Sequence, residues 1–281
     1  MKMFSKKVLV VGLTLMMIFS FAACGSSEES AEEEGDGSLQ RVLDAGKLSV
    51  GAEGNWEPYV FNNSDGDLDG FEVAMAEEIA KRLGVELDMA SNISDSWDGV
   101  LAGLDASRYD AVICGCSPNP ERQEAYECSD PYGEQLIAMV VKKGNTEISS
   151  FEDLEGKVSA NSLSSSSGKI AKSYGAELVE ASLEQGMLLI EQDRADCTIN
   201  DAASINAYLK ANPDANVEIA AYYEPENAYE IQSAVVMRKG DSDLCKAINE
   251  AIKEIIADGT AKKLAEKYFG EDFANNVTLY Q

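Results

Sequence analysis

The chain has 281 residues, of which 45% are hydrophobic, and its 50 acidic residues against 23 basic ones give a formal charge of −27. Such an acid excess argues against binding to a nucleic-acid backbone, which needs clustered lysine and arginine. The chain contains no histidine, which excludes serine–histidine triads, cysteine–histidine dyads and histidine-ligated zinc or haem sites. The apolar fraction is typical of a protein with a buried core, and the length allows one large domain or two smaller ones.

The first 23 residues have the three parts of a secretory signal peptide. A basic head is followed by an apolar run from Val8 to Phe19 and then by small residues that end before Cys24. A transmembrane helix is the alternative, but the apolar run is shorter than the ~20 residues that a bilayer requires. Residues 1–23 are therefore predicted to be a signal peptide.

The residues AACG around Cys24 resemble the bacterial lipobox, in which the cysteine is lipidated and becomes the first residue of the mature chain. Phe21 departs from that pattern, since lipoboxes usually have leucine there. The resemblance implies a lipid anchor on Cys24 that holds the protein at the membrane. Residues 24–38 contain many acids and no large apolar side chain, a composition that predicts a disordered acidic tether.

Five further cysteines follow along the chain. They stand at positions 114, 116, 128, 197 and 245. The first two are too close for the C-x₂-C spacing of metal sites, and no second pair or histidine accompanies them. We therefore expect small core residues and no metal site, although an exported protein leaves a disulfide open as the alternative.

From Leu39 onward, short apolar runs alternate with longer segments of helical periodicity. This alternation is typical of strands in a largely parallel sheet that is covered by helices. The clearest helix runs from Phe71 to Leu83 and is stopped by Gly84, and the run DAVIC at 110–114 is a typical buried strand. A second cycle of strands and helices begins at residue 136.

The pattern predicts an α/β fold with two lobes, in which each lobe has a mixed, mostly parallel sheet covered by helices. Lobe 1 is predicted to comprise residues 39–134 and 233–281, because the C-terminal helices have too few strands for a third lobe. Lobe 2 is predicted to comprise residues 139–228. Crossings near 134–139 and 229–234 would form a two-strand hinge, and ligands favour such interfaces.

Five segments, in order, resemble the bacterial extracytoplasmic solute-binding proteins of family 3, the capture subunits of ABC importers for polar amino acids. They are LSVGAEGNWEPYVF (48–61), LDGFEVAMAEEIAKRLG (68–84), SWDGVLAGL with YDAVICGCSPNPERQ (96–104 and 109–123), ADCTINDAASINAYL (195–209) and VVMRKGDSDLCKAINEAIKEIIADGTAKKLAEKYFG (235–270). The resemblance implies a periplasmic-binding-protein-like fold of type II, a free amino acid as ligand, an ABC permease as partner, a monomer and no cofactor.

The resemblance also implies that the ligand is held by its α-carboxylate and its α-ammonium group. Arg122 stands at the position of the carboxylate-binding arginine, and a planar guanidinium can bind both carboxylate oxygens. Ser117 matches a hydroxyl that bridges either ligand group, and Gly115 matches a backbone carbonyl that accepts from the ammonium. For Arg122 the alternative is an exposed side chain after a turn.

On lobe 2, Asp201 matches the acid that binds the ligand ammonium. The alternative role of Asp201 is to cap the helix predicted at 202–209, and both roles can hold together. Ser164 and Ser165 match a turn of glycine, serine or threonine, and threonine that binds the carboxylate. Leu163 departs from that pattern because it stands where glycine is usual.

Three further residues match positions on the cleft wall. Trp56 would stack on the ligand side chain and Trp97 would form an apolar wall, whereas the alternative for both is ordinary packing. Glu53 matches an acidic position in the first loop. An acid there would favour a ligand with a distal positive group, such as a basic amino acid or cystine, and its alternative is a solvated carboxylate.

Two other classes of function fit the same fold. A small-molecule lyase would use Glu53, Glu57 or Asp201 as general acid or base, but no nucleophile–base pair stands out. A ligand-sensing subunit or an adhesin is a further alternative. We expect a protein that is not an enzyme, that is lipid-anchored to the outer face of the cell membrane, and that serves amino-acid uptake.

Overall fold

The computed structural model describes residues 35–277. The predicted signal peptide, Cys24 and most of the predicted tether lie outside these residues. The strands are β1 (Lys47–Glu53), β2 (Phe61–Asn62), β3 (Leu68–Asp69), β4 (Glu86–Asp88), β5 (Ile93–Ser94), β6 (Ala111–Cys116), β7 (Tyr126–Cys128), β8 (Gly133–Glu134), β9 (Ile137–Lys142), β10 (Val158–Ala160), β11 (Glu177–Val179), β12 (Cys197–Asp201), β13 (Val217–Tyr222) and β14 (Gln232–Arg238).

Helices cover both faces of the sheets that these strands form. They are α1 (Ser38–Ala45), α2 (Phe71–Leu83), α3 (Trp97–Asp105), α4 (Pro120–Ala125), α5 (Ser166–Ser173), α6 (Leu183–Glu191), α7 (Ala202–Ala211), α8 (Ser242–Ala257), α9 (Thr260–Phe269) and α10 (Glu271–Asn276). Among residues 35–277, no helix combines the length and the apolar character that crossing a membrane requires.

The first sheet has the strand order β4-β1-β6-β14-β7, with β5 beside β1 and β8 beside β14. Strand β1 is parallel to β4, β5 and β6, whereas β14 is antiparallel to β6, β7 and β8. We call the part of the chain built on this sheet lobe 1. Its core includes the buried faces of β1, β6, α2 and α8.

The second sheet has the order β11-β10-β12-β9-β13. Strand β10 is parallel to β11 and β12, and β9 is antiparallel to β12 and β13. We call the part of the chain built on this sheet lobe 2. The α/β architecture with two lobes is confirmed, and both sheets are mixed because one strand in each, β9 or β14, runs against the others directly after the chain has crossed between lobes.

The chain passes from lobe 1 to lobe 2 between β8 and β9, and it returns between β13 and β14. We call residues 132–136, which include β8 and lead into β9, the crossing segment. After the return, α8 and α9 pack against α2. The chain from β14 onward thus belongs to lobe 1.

Helix α2 illustrates how the local sequence sets these elements. Its apolar side chains recur at helical spacing and are buried, and a left-handed glycine, Gly84, ends the helix with φ 74°. One acid on the buried face, Glu72, departs from the apolar pattern. Its partners belong to the candidate site described below.

The predicted tether extends to residue 38, but the structure begins α1 at Ser38. The carboxylate of Asp36 accepts hydrogen bonds from the backbone N–H groups of Ser38 at 2.8 Å and Asp243 at 2.9 Å. These and other hydrogen bonds hold the pKa of Asp36 well below its usual range. The prediction of disorder is wrong for these last residues, because α8 supplies partners that composition does not reveal.

The five cysteines of the described chain are free, and four of them are buried. Burial raises the pKa of the thiols of Cys116 to about 12 and of Cys197 to about 11. Protonated buried thiols pack as small apolar groups. The interpretation of these cysteines as core residues agrees with this arrangement.

Candidate functional site

A cleft of about 170 Å³ lies between the two lobes, at the carboxyl ends of β1, β6, β10 and β12. This edge of a sheet is where α/β proteins usually bind ligands. Seven of the nine residues predicted for the site line the cleft: Glu53, Trp56, Trp97, Gly115, Arg122, Ser165 and Asp201. Ser117 and Ser164 are not among the lining residues.

Arg122 is held by the start of α4. Asn119 caps this helix, since its side-chain oxygen accepts from the backbone N–H of Arg122 at 2.9 Å, and Pro120 fills the first helical position. The guanidinium donates to the carbonyl of Ser117 and lies 5.6 Å from the centre of the Trp97 ring. Arg122 is 6% exposed.

No salt bridge among residues 35–277 includes Arg122. A guanidinium has five donors in a fixed fork. Among residues 35–277, the guanidinium of Arg122 makes one hydrogen bond, to the carbonyl of Ser117. Arg122 lines the cleft, where a planar anionic group can satisfy the remaining donors. The alternative of an exposed arginine after a turn is wrong, because α4 buries the side chain against Trp97.

Asp201 ends β12 and begins α7 on the opposite lobe. Its carboxylate accepts from the backbone N–H of Ala203 at 2.7 Å, as a helix cap does, and from the backbone N–H of Leu136 at 3.0 Å. Burial raises the pKa of Asp201 to about 6, against the lowering effect of these hydrogen bonds. Asp201 is therefore a cap that also lines the cleft and binds the crossing segment.

Glu53 lies at the end of β1, and every electrostatic effect on it opposes ionisation. Burial and then the carboxylates of Glu180 and Asp98 raise its pKa to about 7. None of these three acids takes part in a salt bridge among the described residues. Glu53, which lines the cleft, is thus surrounded by acids.

The two tryptophans have different surroundings. Trp56 stacks on Tyr59, with ring centroids 4.2 Å apart and planes 17° from parallel, and its Nε1 donates to Asn200 Oδ1 of lobe 2 at 3.3 Å. Trp97 begins α3, and its buried Nε1 has no hydrogen-bond partner within residues 35–277. Both rings therefore form walls of the cleft while they also pack against protein.

Two of the predicted hydroxyl ligands make other contacts. Ser117 Oγ donates to the carbonyl of Tyr229 at 2.6 Å, and Ser164 Oγ donates to Asp98 of lobe 1. Ser165 lines the cleft, donates to the carbonyl of Ser162 at 2.8 Å and caps α5. Of these three serines, only Ser165 lines the cleft.

Leu163, which replaces the usual glycine, does not intrude on the cleft. Its side chain is 54% exposed, and its backbone N–H donates to Glu180 Oε2 at 3.0 Å. The loop thus turns its large side chain to solvent while an acid of the neighbouring loop holds its backbone.

Side-chain contacts join the two lobes around the cleft. Lys169 of lobe 2 donates to Glu121 of lobe 1, Ser164 donates to Asp98, and Trp56 donates to Asn200. The structure therefore has the lobes in contact around the site. Neither spacing nor composition singles out these partners, because each pair joins residues that are distant in the chain.

Glu72 is the further residue of this region that sequence reasoning missed. Its carboxylate accepts from the backbone N–H of Gly115, a cleft-lining residue, at 3.0 Å. The available signal was an acid among the apolar positions of α2.

No group of three or more acids or cysteines suited to a metal ion occurs within residues 35–277.

Comparison with known proteins gives one family. The model of the bacterial extracellular solute-binding proteins, family 3, matches residues 48–271. The L-cystine-binding protein TcyA of Bacillus subtilis is 36% identical over 274 residues, which are 95% of this chain and 98% of that protein.

Two solved structures differ in how closely they match. An ancestral arginine-binding protein bound to arginine has a TM-score of 0.71 at 36% identity, and the match covers 80% of this chain and 99% of that one. The L-cystine solute receptor of Neisseria gonorrhoeae, in the unliganded open conformation, has a TM-score of 0.54 at the same 36% identity, with 84% and 98% covered. This chain thus superposes better on the amino-acid-bound protein.

Proposed function

The chain belongs to family 3 of the bacterial extracellular solute-binding proteins, and from that premise we propose that it captures a polar amino acid between its lobes and delivers it to an ABC importer. The observation that carries this proposal is the buried Arg122, which has no ion-pair partner among the described residues and faces a cleft that Asp201 lines from the other lobe. A guanidinium and a carboxylate on opposite walls suit the carboxylate and ammonium of one amino acid.

We propose a ligand with a distal positive group, either a basic amino acid or cystine. Glu53 lines the cleft, and the carboxylates of Glu180 and Asp98 are close enough to raise its pKa. Burial of an unpaired carboxylate is costly unless a cation joins it. The relatives support this class, since one binds L-cystine and another was solved with arginine.

Capture is proposed to proceed by closure of the lobes around the ligand. Each lobe supplies one half of the charged contacts, so the closed form gains its full stabilisation only when both ends of the amino acid are present. The two crossings near the base of the cleft provide the hinge. Closure would then present the loaded form to a membrane permease.

We propose that the protein acts as a monomer without a cofactor and without catalytic activity. The charges of Arg122 and Asp201 suit binding of a zwitterion, and the relative TcyA is an L-cystine-binding protein. Lipidation of Cys24 is proposed to hold the protein at the outer face of the cell membrane. A Cys24→Ser variant is expected to be released into the medium, and retention of that variant would contradict the anchor.

The ligand is identified by isothermal titration of protein that has been unfolded and refolded to remove bound ligand. The panel contains the twenty amino acids, ornithine and cystine. Micromolar or tighter binding of arginine, ornithine, lysine or cystine is expected. Tight glutamate binding with no binding of these four contradicts the proposed ligand class, and binding of no amino acid contradicts the proposed function.

A further inference from the structure

Glu72 is a fully buried acid that touches two parts of the site's framework. It lies in the first turn of α2 with 0% of its surface exposed. Oε1 accepts from the backbone N–H of Gly115 at 3.0 Å, and the hydroxyl of Tyr132 donates to Oε2. Glu72 does not line the cleft and takes part in no salt bridge within residues 35–277, so a structural ion pair does not account for it.

The first partner, Gly115, is a point where the backbone has little freedom. Gly115 has φ +57°, and a Cβ at this position would lie 2.4 Å from Trp56 Cη2 and 2.4 Å from Gln135 Nε2. Only glycine fits such a left-handed, crowded position. Trp56 closes one side of this backbone and Glu72 holds its N–H, so the carboxylate fixes a wall of the cleft.

The second partner, Tyr132, begins the crossing segment. Four residues further on, the backbone N–H of Leu136 donates to Asp201 at 3.0 Å. The crossing segment is therefore bound at one end by a buried acid of lobe 1 and at the other end by a buried acid of lobe 2. The two carboxyls are close enough that Asp201 raises the pKa of Glu72, although burial is the larger cause.

We propose that Glu72 is a positioning residue for the ammonium end of the ligand site. By holding Gly115 and the crossing segment, it determines where the ligand ammonium meets Asp201, without itself touching the ligand. This inference rests on the proposed function. The ammonium also interacts favourably with an ionised Glu72 across a poorly hydrated region, where charges act over longer distances than in water.

The test compares each amino acid with an analogue that lacks its α-ammonium group or, for cystine, both of its α-ammonium groups. L-Arginine is paired with 5-guanidinopentanoate, and L-cystine is paired with 3,3′-dithiodipropionate. Calorimetry at pH 8 measures each pair on the wild type, on Glu72→Gln and on Glu77→Gln, an exposed acid of the same helix. The Glu72→Gln variant keeps the shape of the side chain and removes its charge.

We expect Glu72→Gln to weaken binding of the amino acid about tenfold and binding of its partner without the ammonium less than about twofold. Glu77→Gln is expected to leave both affinities unchanged. A general loosening of the fold would weaken both members of a pair equally. Equal losses, or no loss, would therefore overturn the inference.

Tyr132→Phe removes one of the two hydrogen bonds and keeps the charge, and it provides the same test if Glu72→Gln does not fold. Urea unfolding of each variant establishes whether it is folded. We expect Tyr132→Phe to weaken only the amino acid of each pair, by about threefold. If the wild type binds neither amino acid, the proposed function fails with its ligand class, whereas binding that Glu72 and Tyr132 do not affect overturns this inference alone.

Discussion

The guanidinium of Arg122 lies 5.6 Å from the centre of the Trp97 ring and forms no salt bridge with any described residue. An indole face stabilises a cation, but less than a carboxylate does. A buried charge that lacks a carboxylate is costly to the folded protein. This arrangement suits the binding of an anionic group from outside the protein.

Removal of the charge of Arg122 is expected to increase the stability of the ligand-free protein and to abolish binding. Arg122→Met keeps much of the apolar stem, and we expect it to raise the free energy of unfolding of the ligand-free protein by about 1 kcal/mol while it abolishes amino-acid binding. Urea unfolding without ligand measures the first effect. Arg108→Met, at an exposed position, serves as control, and a less stable Arg122→Met protein would contradict the expectation.

Binding of a ligand with a distal cation is expected to depend on pH through Glu53. Burial and the neighbouring acids Glu180 and Asp98 raise its pKa to about 7, so Glu53 is mostly protonated at pH 6 and ionised at pH 8. Arginine binding should tighten by up to about tenfold over this range. Glu72, which does not line the cleft, and Asp201, which does, also titrate in this range.

Glu53→Gln tests how much of the pH dependence of arginine binding is due to Glu53. The variant should bind arginine more weakly at pH 8 and with a smaller change between pH 6 and 8. Titration calorimetry at both pH values measures it. An unaltered pH profile in Glu53→Gln would mean that Glu53 does not face the ligand cation.

The ligand-free protein is expected to lose stability as the pH rises. Glu53, Glu72 and Asp201 have pKa values of about 7, about 7 and about 6 in the folded chain, above their ordinary values. At pH values between the ordinary and the raised pKa values, the folded state therefore holds more protons than the unfolded state. Each carboxyl then lowers the free energy of unfolding by up to about 1.4 kcal/mol per pH unit. Acids with a lowered pKa, such as Asp69 and Asp88, titrate below this window.

Urea unfolding of ligand-stripped protein at pH 5.5 and pH 7.5 measures this loss. A triple variant with Glu53→Gln, Glu72→Gln and Asp201→Asn should have nearly equal stability at both values. Greater wild-type stability at pH 7.5 than at pH 5.5 would contradict the assignment of these three buried acids.

The ion pair between Lys169 and Glu121 is expected to contribute little to closure. The two side chains are 39% and 77% exposed, and exposed pairs contribute about 0.2–1 kcal/mol. Lys169→Ala should therefore weaken amino-acid binding by less than about fivefold, and 0.5 M salt should remove most of that effect. A double-mutant cycle with Glu121→Ala measures the pair, and a larger loss that persists in salt would mean that the pair is a principal latch.

The elements with strong periodicity could be predicted from the sequence, because their burial follows local spacing. Helix α2 and strand β6 are found where the pattern indicates them. Strand β13 (Val217–Tyr222) was missed, since it is half-exposed and its partner β9 is distant in the chain. The short strands β7 and β8 were missed for the same reason, as both pair only with β14.

The candidate site could be predicted where chemistry and a local motif coincide. Arg122 follows a cap and a proline that fix its helix, and Asp201 is the last residue of a strand that ends at the cleft. The sequence could not reveal that Ser117 and Ser164 have protein partners, because both partners come from distant segments. Glu72 was not identified from the sequence for the same reason, since its partners Gly115 and Tyr132 are also distant in the chain.

The most direct test of the central account uses one charge from each lobe. Arginine and cystine are titrated into the wild type, Arg122→Ala, Asp201→Asn and the double variant, with Arg108→Ala as control. We predict that the wild type and the control bind at least one of the two amino acids and that each cleft variant weakens this binding by about 100-fold or more. Binding that persists in both single variants would contradict capture of an amino acid between the lobes.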